Sequence, residues 1–388
     1  MITARFSAAT ALVSALLLVA CGGLDEGPPS TKGSFTAVVS FGDSLSDVGT
    51  YAPATSLAGD GRPPYFGGKF TTNSATGTIW VENLAGTLGI AVTPAEVGFN
   101  GASVKCPAAS LPALTSSCTA YGQGGARITD PSGIGHNADG SGALTVPVVQ
   151  QIANHLARFA RFTANDLILV YAGNNDVFIQ FDAYATAAVQ AQAAAAAGSL
   201  TAAQANQAIA TAQAAAEQAV RTAAQELADA VRTQILAKGG KYVAVMNLSD
   251  IGDTPFGNSL PPTLHAELTV LSQSFNGSLF AALLGQPVRT IDTYTLSKGV
   301  YQNPTANGFV NNTVPACDPA AISVITGSAV TDGSSLFCNG TPGAPFNGLR
   351  AGADPQTWQF ADDVHPTTHG HKVIGDAFAK QLQSFNWI

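Results

Sequence analysis

Four short apolar runs constrain the fold most: "SFTAVVSF" (34–41), "DLILVYAG" (166–173), "KYVAVMNL" (241–248) and "PVRTIDTY" (287–294). Each is rich in β-branched residues and bounded by polar or glycine positions, as strands buried on both faces are. Helical stretches lie between them, among them "GTIWVENLAGTLG" (77–89) and "VVQQIANHLARFA" (148–160). Strands alternating with helices predict an α/β fold whose central parallel sheet is covered on both sides. Ligands of such sheets gather beyond the carboxyl ends of the strands. Ser44 follows the first run and "GNND" (173–176) the second, so both fall on that rim. With 46% of residues hydrophobic and 11% charged, the chain has ample material for one large core. Its net charge is −8, and the 17 basic residues are spread thinly. No basic patch is offered to nucleic acid or to an anionic lipid surface.

"MITARFSAATALVSALLLVA" (1–20) has a basic Arg5, a short apolar core and then Cys21, and reads as an export signal rather than a membrane span. Leu18-Val19-Ala20-Cys21 resembles a bacterial lipobox, which implies lipidation at Cys21 and a membrane anchor there. Residues 21–34 then serve as a tether and 35–388 as one domain. This points to an outer-membrane lipoprotein facing the periplasm or the cell surface, or alternatively to a secreted protein. Setting Cys21 aside leaves Cys106, Cys118, Cys317 and Cys338, an even number in an exported chain. Of three possible connectivities, the sequence-local one pairs Cys106 with Cys118 and Cys317 with Cys338. The close Cys-x-x-Cys pairs of a thiolate metal site are missing.

Residues 183–237 are dominated by Ala and Gln, both strong helix formers. "TAAQ" (201–204) matches a capping box and "KGG" (238–240) a basic last turn with a glycine stop. The expectation is an inserted helical hairpin broken near Gly198-Ser199, its second helix about 36 residues or 54 Å long and much of it projecting. A lid or docking arm and a plain spacer both fit. Segments 51–76, 99–147 and 295–361 read as long loops rich in small and polar residues.

"VVSFGDSLSDVGTY" (38–51) crowds Ser, Asp and Gly behind a strand. A tight turn explains these residues, and so does an exposed nucleophile. In "FADDVHP" (360–366), Asp362 stands three before His365, near enough to reach Nδ1 across one turn, as a serine nucleophile's base requires of its acid. "AYGQGGARI" (120–128) offers backbone N–H groups and "AGNNDVF" (172–178) a side-chain amide, the neutral donors from which an oxyanion hole is built.

In this order, "FGDSLSDVG", "YGQGGA", "GNND" and "DDVHP" resemble the four blocks of the SGNH (GDSL) hydrolase family, and the resemblance runs from about residue 35 to the C-terminus. It implies a three-layer α/β/α, flavodoxin-like fold and a serine carboxylester hydrolase of the bacterial esterase and lipase branch, acting on lipid or other acyl esters. Carried over residue by residue, Ser44 is the nucleophile, His365 the base and Asp362, rather than Asp363, the acid. The oxyanion donors are the N–H groups of Ser44 and Gly125 and the amide of Asn175, with Gly124 and Asn174 as neighbouring alternatives. The family often has Asn where Ala120 stands. No metal or organic cofactor is required. Acyl transfer uses the same residues, and a catalytically silent binding lipoprotein is the reading from another class. His369 and His371 read as a solvated helix start rather than metal ligands, and His136, His155 and His265 have no chemical neighbours in sequence. Tyr65, Phe66 and Trp358 lie in loops able to overhang an acyl pocket or simply to anchor those loops.

Overall fold

A computed structural model describes residues 27–56, 67–343 and 346–388. Cys21 with the leader before it, and Tyr65 and Phe66, lie outside the described residues.

Among the described residues, eight strands and ten α-helices follow one another. The chain opens with β1 (Ala37–Gly42), α1 (Ala52–Thr55) and α2 (Trp80–Thr87). The short strands β2 (Thr93–Pro94), β3 (Glu96–Phe99), β4 (Ala102–Lys105) and β5 (Cys118–Ala120) come next. Then α3 (Val148–Phe159) leads to β6 (Asp166–Tyr171), α4 (Asn174–Ala196) and α5 (Ala202–Ala230). After β7 (Tyr242–Met246) come α6 (Pro255–Ser259), α7 (Pro262–Leu283), β8 (Arg289–Ile291) and α8 (Thr293–Gln302). The chain closes with α9 (Pro319–Ile325) and α10 (Thr368–Ser384).

The six-stranded sheet has the order β2-β5-β1-β6-β7-β8, with every pairing parallel. This is the expected α/β architecture, and the β1–β6 register (Val39 opposite Ile168) buries both faces of the central strands. From β1 the chain runs to the edge strand β2, returns through β5 beside β1, and then winds outward through β6, β7 and β8. The strand order therefore reverses at the carboxyl ends of β1 and β6, the usual ligand position. Strand β5 lies inside the stretch 99–147 that reads as loop. Its three residues, Cys-Thr-Ala, carry no apolar run; pairing with β1 and the Cys118 bridge draw them into the sheet. The β3–β4 hairpin is antiparallel and forms a second, two-stranded sheet.

The Ala/Gln segment forms two helices, α4 and α5, broken at residues 197–201, and Thr201 and Gln204 cap each other reciprocally. After α5 come one π turn (Val231–Ile235) and one 3₁₀ turn (Leu236–Lys238). Contrary to expectation, the hairpin does not largely project. Helix α7 packs along both of its arms. Ala216, Val220, Ala223, Ala224 and Leu227 are buried there, and Gln213 Nε2 donates to Glu267 Oε2 at 2.8 Å. Small side chains let helices approach closely, so the composition that looks uninformative in sequence makes a tight bundle. Residues around Gly198 at the tip stay exposed. The tether reading also meets order at its end, where Trp387 Nε1 donates to the Pro29 carbonyl at 2.7 Å and Gly33 N to the Trp387 carbonyl at 2.9 Å.

Disulfides join Cys106 to Cys118 and Cys317 to Cys338. Cys317, Ile322, Cys338 and Ala361 form a small core of their own, apart from the main one.

His155 of α3 is 2% exposed, stacks on Phe162 with ring centroids 4.4 Å apart, and has no hydrogen-bond partner at either nitrogen. Burial, with a smaller contribution from Arg158, pushes its pKa down to about 4. The unfolded chain takes up a proton near pH 6.5 that the folded chain refuses until about 4. The stability this neutral ring allows is therefore lost as pH falls through that window. His155→Phe should stabilise the protein at pH 7 and gain about 2 kcal/mol more at pH 5. Urea unfolding of both proteins at the two pH values measures this, and equal differences would contradict it.

Candidate active site

The site grows from the end of β1. A side chain at Gly42 would place its Cβ 2.2 Å from the Tyr171 carbonyl oxygen, so the ends of β1 and β6 meet only because residue 42 has none. Gln151 of α3 clamps the same residue, accepting from Gly42 N at 2.9 Å and donating to its carbonyl at 2.8 Å. Asp43 then caps a single 3₁₀ turn, Ser44–Ser46, by accepting from Leu45 N at 3.1 Å. Ser44 opens that turn with its own N–H free of any acceptor among the described residues. The tight turn and the serine at its start are thus one object, with Ser44 itself 8% exposed.

Asp47 ties this turn to the glycine block. It is buried and accepts from Gly49 N (2.9 Å) and Thr50 N (2.7 Å), and from Gly124 N (2.9 Å) through its other oxygen. Burial pushes its pKa up to about 6 although these donors pull it down. Tyr51 Oη donates to the Gly124 carbonyl at 2.8 Å. Gly124 is therefore engaged at both ends, whereas the N–H of Gly125 has no acceptor among the described residues. Gly125 has φ +79°, and a Cβ there would lie 2.0 Å from the Ile134 carbonyl, so no other residue type fits.

The two asparagines opening α4 turn different ways. Asn174 Nδ2 donates to Asp43 Oδ2 at 2.9 Å. Asn175, 6% exposed, donates from Nδ2 to the Ala126 carbonyl at 2.8 Å, beside Gly125, and its second amide hydrogen has no acceptor among the described residues. Asp176 fastens the same loop, accepting from Ile128 N and Arg127 Nε at 3.0 Å each. Burial pushes the Asp176 pKa up to about 6 against the pull of Arg127.

From the far end of the sequence, His365 Nε2 lies 2.8 Å from Ser44 Oγ. Its Nδ1 is 2.9 Å from both oxygens of Asp362. Asp362 Oδ1 also accepts from Val364 N (3.0 Å) and His365 N (2.7 Å), which closes the tight turn that the three-residue spacing suggests. Oδ2 accepts from Ser335 N at 2.8 Å. Burial alone would raise the Asp362 pKa, but His365 and these N–H donors outweigh it and hold the carboxyl well below the usual carboxylate range. The neighbouring Asp363 uses its main-chain carbonyl to accept from Phe256 N and makes no bond to the imidazole. Helix α10 begins at Thr368 under a Thr367 cap, two residues later than a start at Pro366.

A cavity of about 490 Å³ opens beside Ser44 and His365. Leu45, Phe178, Leu296, Val300, Phe309 and Phe378 give it apolar walls. Trp358 does not line it; its carbonyl accepts from Thr367 Oγ1 at 2.6 Å, an anchoring contact.

His371 departs from the expected solvated helix start. It is fully buried, Nε2 lies 3.2 Å from the Phe70 carbonyl, and burial pushes its pKa down to about 3. Among the described residues, no group of His, Cys, Asp and Glu is arranged to hold a metal, and no helix is long and apolar enough to cross a membrane. Sequence reasoning missed Asp47, Gln151 and Phe70, whose ring centroid is 4.8 Å from that of His365. Asp47 had a signal in its place among the small residues after Ser44. Gln151 and Phe70 had none.

Sequence comparison places these elements among relatives. The chain is 26% identical to an uncharacterized protein from the trpE-trpG intergenic region of Pseudomonas putida, over 91% of its own length and 49% of that protein. It is 25% identical to the anther-specific proline-rich protein APG of Arabidopsis thaliana, over 38% of its own length and 26% of the relative. The chain thus spans about half the length of the first and about a quarter of the second. The sequence profile of the GDSL-like lipase/acylhydrolase family matches residues 38–378, and the chain belongs to that family.

Proposed function

We propose that this protein is a serine carboxylester hydrolase working through an acyl-enzyme. The observation that carries the reading is the unbroken hydrogen-bonded line from Ser44 Oγ through His365 to Asp362. His365 Nε2 takes the Ser44 proton as Oγ attacks the ester carbonyl, and Asp362 fixes the tautomer with Nδ1–H toward itself. His365 then returns the proton to the leaving alcohol, and water repeats the cycle to release the acid. The tetrahedral oxyanion is held by Ser44 N, Gly125 N and Asn175 Nδ2, the donors left without acceptors around the serine. Neutral, prefixed donors of this kind need no reorganisation as charge develops.

The apolar walls of the cavity favour substrates with an acyl or other hydrocarbon arm, so lipid and other acyl esters are the substrate class. Two disulfides suit an oxidising compartment. With the leader and Cys21 they support export and lipid anchoring at the outer membrane, facing the periplasm or the cell surface.

A fluorophosphonate should label the wild-type protein at Ser44 alone and leave Ser44→Ala unlabelled. A folded wild-type protein that takes no label would remove the nucleophile from the account. Asn175→Ala should lower kcat on the order of 10²–10³, and near-normal turnover would exclude Asn175 as an oxyanion donor. Because Asp362 stays ionised far into acid, it should add no proton to the acid limb of kcat/KM, which should fall with a slope of one. A slope of two would show a second essential group titrating there.

A further inference from the structure

We propose that the main-chain N–H of Ser335, held in place by the Cys317–Cys338 disulfide, positions Asp362 for its work on His365. The proposal rests on the serine-hydrolase reading and concerns a group outside the four sequence blocks. The two oxygens of Asp362 are held unequally. Oδ1 accepts two N–H groups from its own turn, those of Val364 and His365. Oδ2 accepts one main-chain N–H, from Ser335, at 2.8 Å. Without that donor Oδ2 keeps only the imidazole Nδ1 that it shares with Oδ1, and the carboxylate plane is held from its own turn alone. With it, the carboxylate plane is set toward Nδ1.

Ser335 begins a one-turn 3₁₀ helix, Ser335–Phe337, that belongs to no sheet layer, so something else must hold it still. The disulfide does so from one side. Cys338 lies three residues beyond Ser335, and its partner Cys317 donates from N to the carbonyl of Ala361, the residue before Asp362, at 2.8 Å. Ala316 N donates to the Phe360 carbonyl at 2.9 Å in the same run. One covalent bond thus links the segment beside the acid to the turn that carries its donor, inside the small core of Cys317, Ile322, Cys338 and Ala361. Asn73 holds the other side, its Nδ2 donating to the carbonyls of Ser335 (2.9 Å) and Cys338 (3.2 Å). The buried Ser335 hydroxyl makes no hydrogen bond of its own, but it too pulls the Asp362 pKa down, so substitution has to tell the N–H from the hydroxyl.

Other charges face the pair. Asp43 at the end of β1 and His371 of α10 act on His365, and Lys69 acts on His371. Asp363, itself under the influence of Asp332 and Arg350, lies beside Asp362. All of these stay in place when the Ser335 N–H is removed.

Ser335→Pro removes that N–H selectively. Residue 335 opens its turn, where proline loses no helical bond, and Ser334 (φ −48°, ψ 126°) has the extended backbone preferred before proline. The folded variant, checked by circular dichroism and intact disulfides, should keep the Ser44 fluorophosphonate label. Its kcat should drop on the order of tenfold with KM within about twofold. The acid limb of kcat/KM should move to higher pH, because a carboxylate relieved of that donor keeps more of its charge for the proton shared by the Asp362–His365 pair. Ser335→Ala, which restores the N–H, should recover the wild-type acid limb. Cys317→Ala/Cys338→Ala should reproduce the proline variant, and Cys106→Ala/Cys118→Ala should not; these decide the matter if Ser335→Pro does not fold. A wild-type kcat and acid limb in Ser335→Pro, or in Cys317→Ala/Cys338→Ala where the former is unfolded, overturns the proposal and leaves the hydrolase reading intact. A wild-type protein without label at Ser44 defeats that reading, and this proposal with it.

Discussion

Everything at this site hangs from the carboxyl end of β1, where buried carboxylates replace water as acceptors for an otherwise unsatisfied turn. Asp43 and Asp47 lie 0% exposed on either side of Ser44. Between them they accept from Leu45, Gly49, Thr50, Gly124 and Asn174. Burying a carboxylate is unfavourable unless donors surround it, and the upward shifts of both groups record that strain of solvation. What the arrangement gains is registry. The Ser44 turn, the glycine loop and the start of α4 are fixed relative to one another through short bonds to side chains that cannot relax into water.

The donors left over are as informative as those engaged. Among the described residues, Gly124 N, Ile128 N and one hydrogen of Asn175 Nδ2 are committed to structure, while Ser44 N, Gly125 N and the second Asn175 hydrogen are not. Buried N–H groups are rarely left unpaired, and a cluster of them around one serine is what the proposed oxyanion hole rests on. The same accounting favours Gly125 over Gly124, a choice open at the level of sequence.

The sheet was legible because buried parallel strands are written as apolar, β-branched runs, and four of the six were found within a few residues. Strands β2 and β5 were not, since two or three residues carry no periodicity and owe their place to a neighbour and a disulfide. The Ala/Gln hairpin was visible as helix but not as packing, because alanine reveals nothing about which face will be covered until α7 is in position. His371 looked solvated for a similar reason; its burial comes from α2 and the Phe70 segment, more than 280 residues earlier in the chain. At the site, Ser44, Asp362, His365 and Asn175 could be named from motif spacing. Gln151, Phe70 and Ser335 act through tertiary contact or main-chain atoms, which no residue type announces.

The most direct test of the account is a crystal structure of the wild-type protein inhibited with an alkyl phosphonate ester. The account predicts phosphorus bonded to Ser44 Oγ, its oxygen within hydrogen-bond distance of Ser44 N, Gly125 N and Asn175 Nδ2, and the alkyl arm in the apolar cavity. An oxygen held instead by Gly124 or Asn174, or an adduct at another residue, would contradict it.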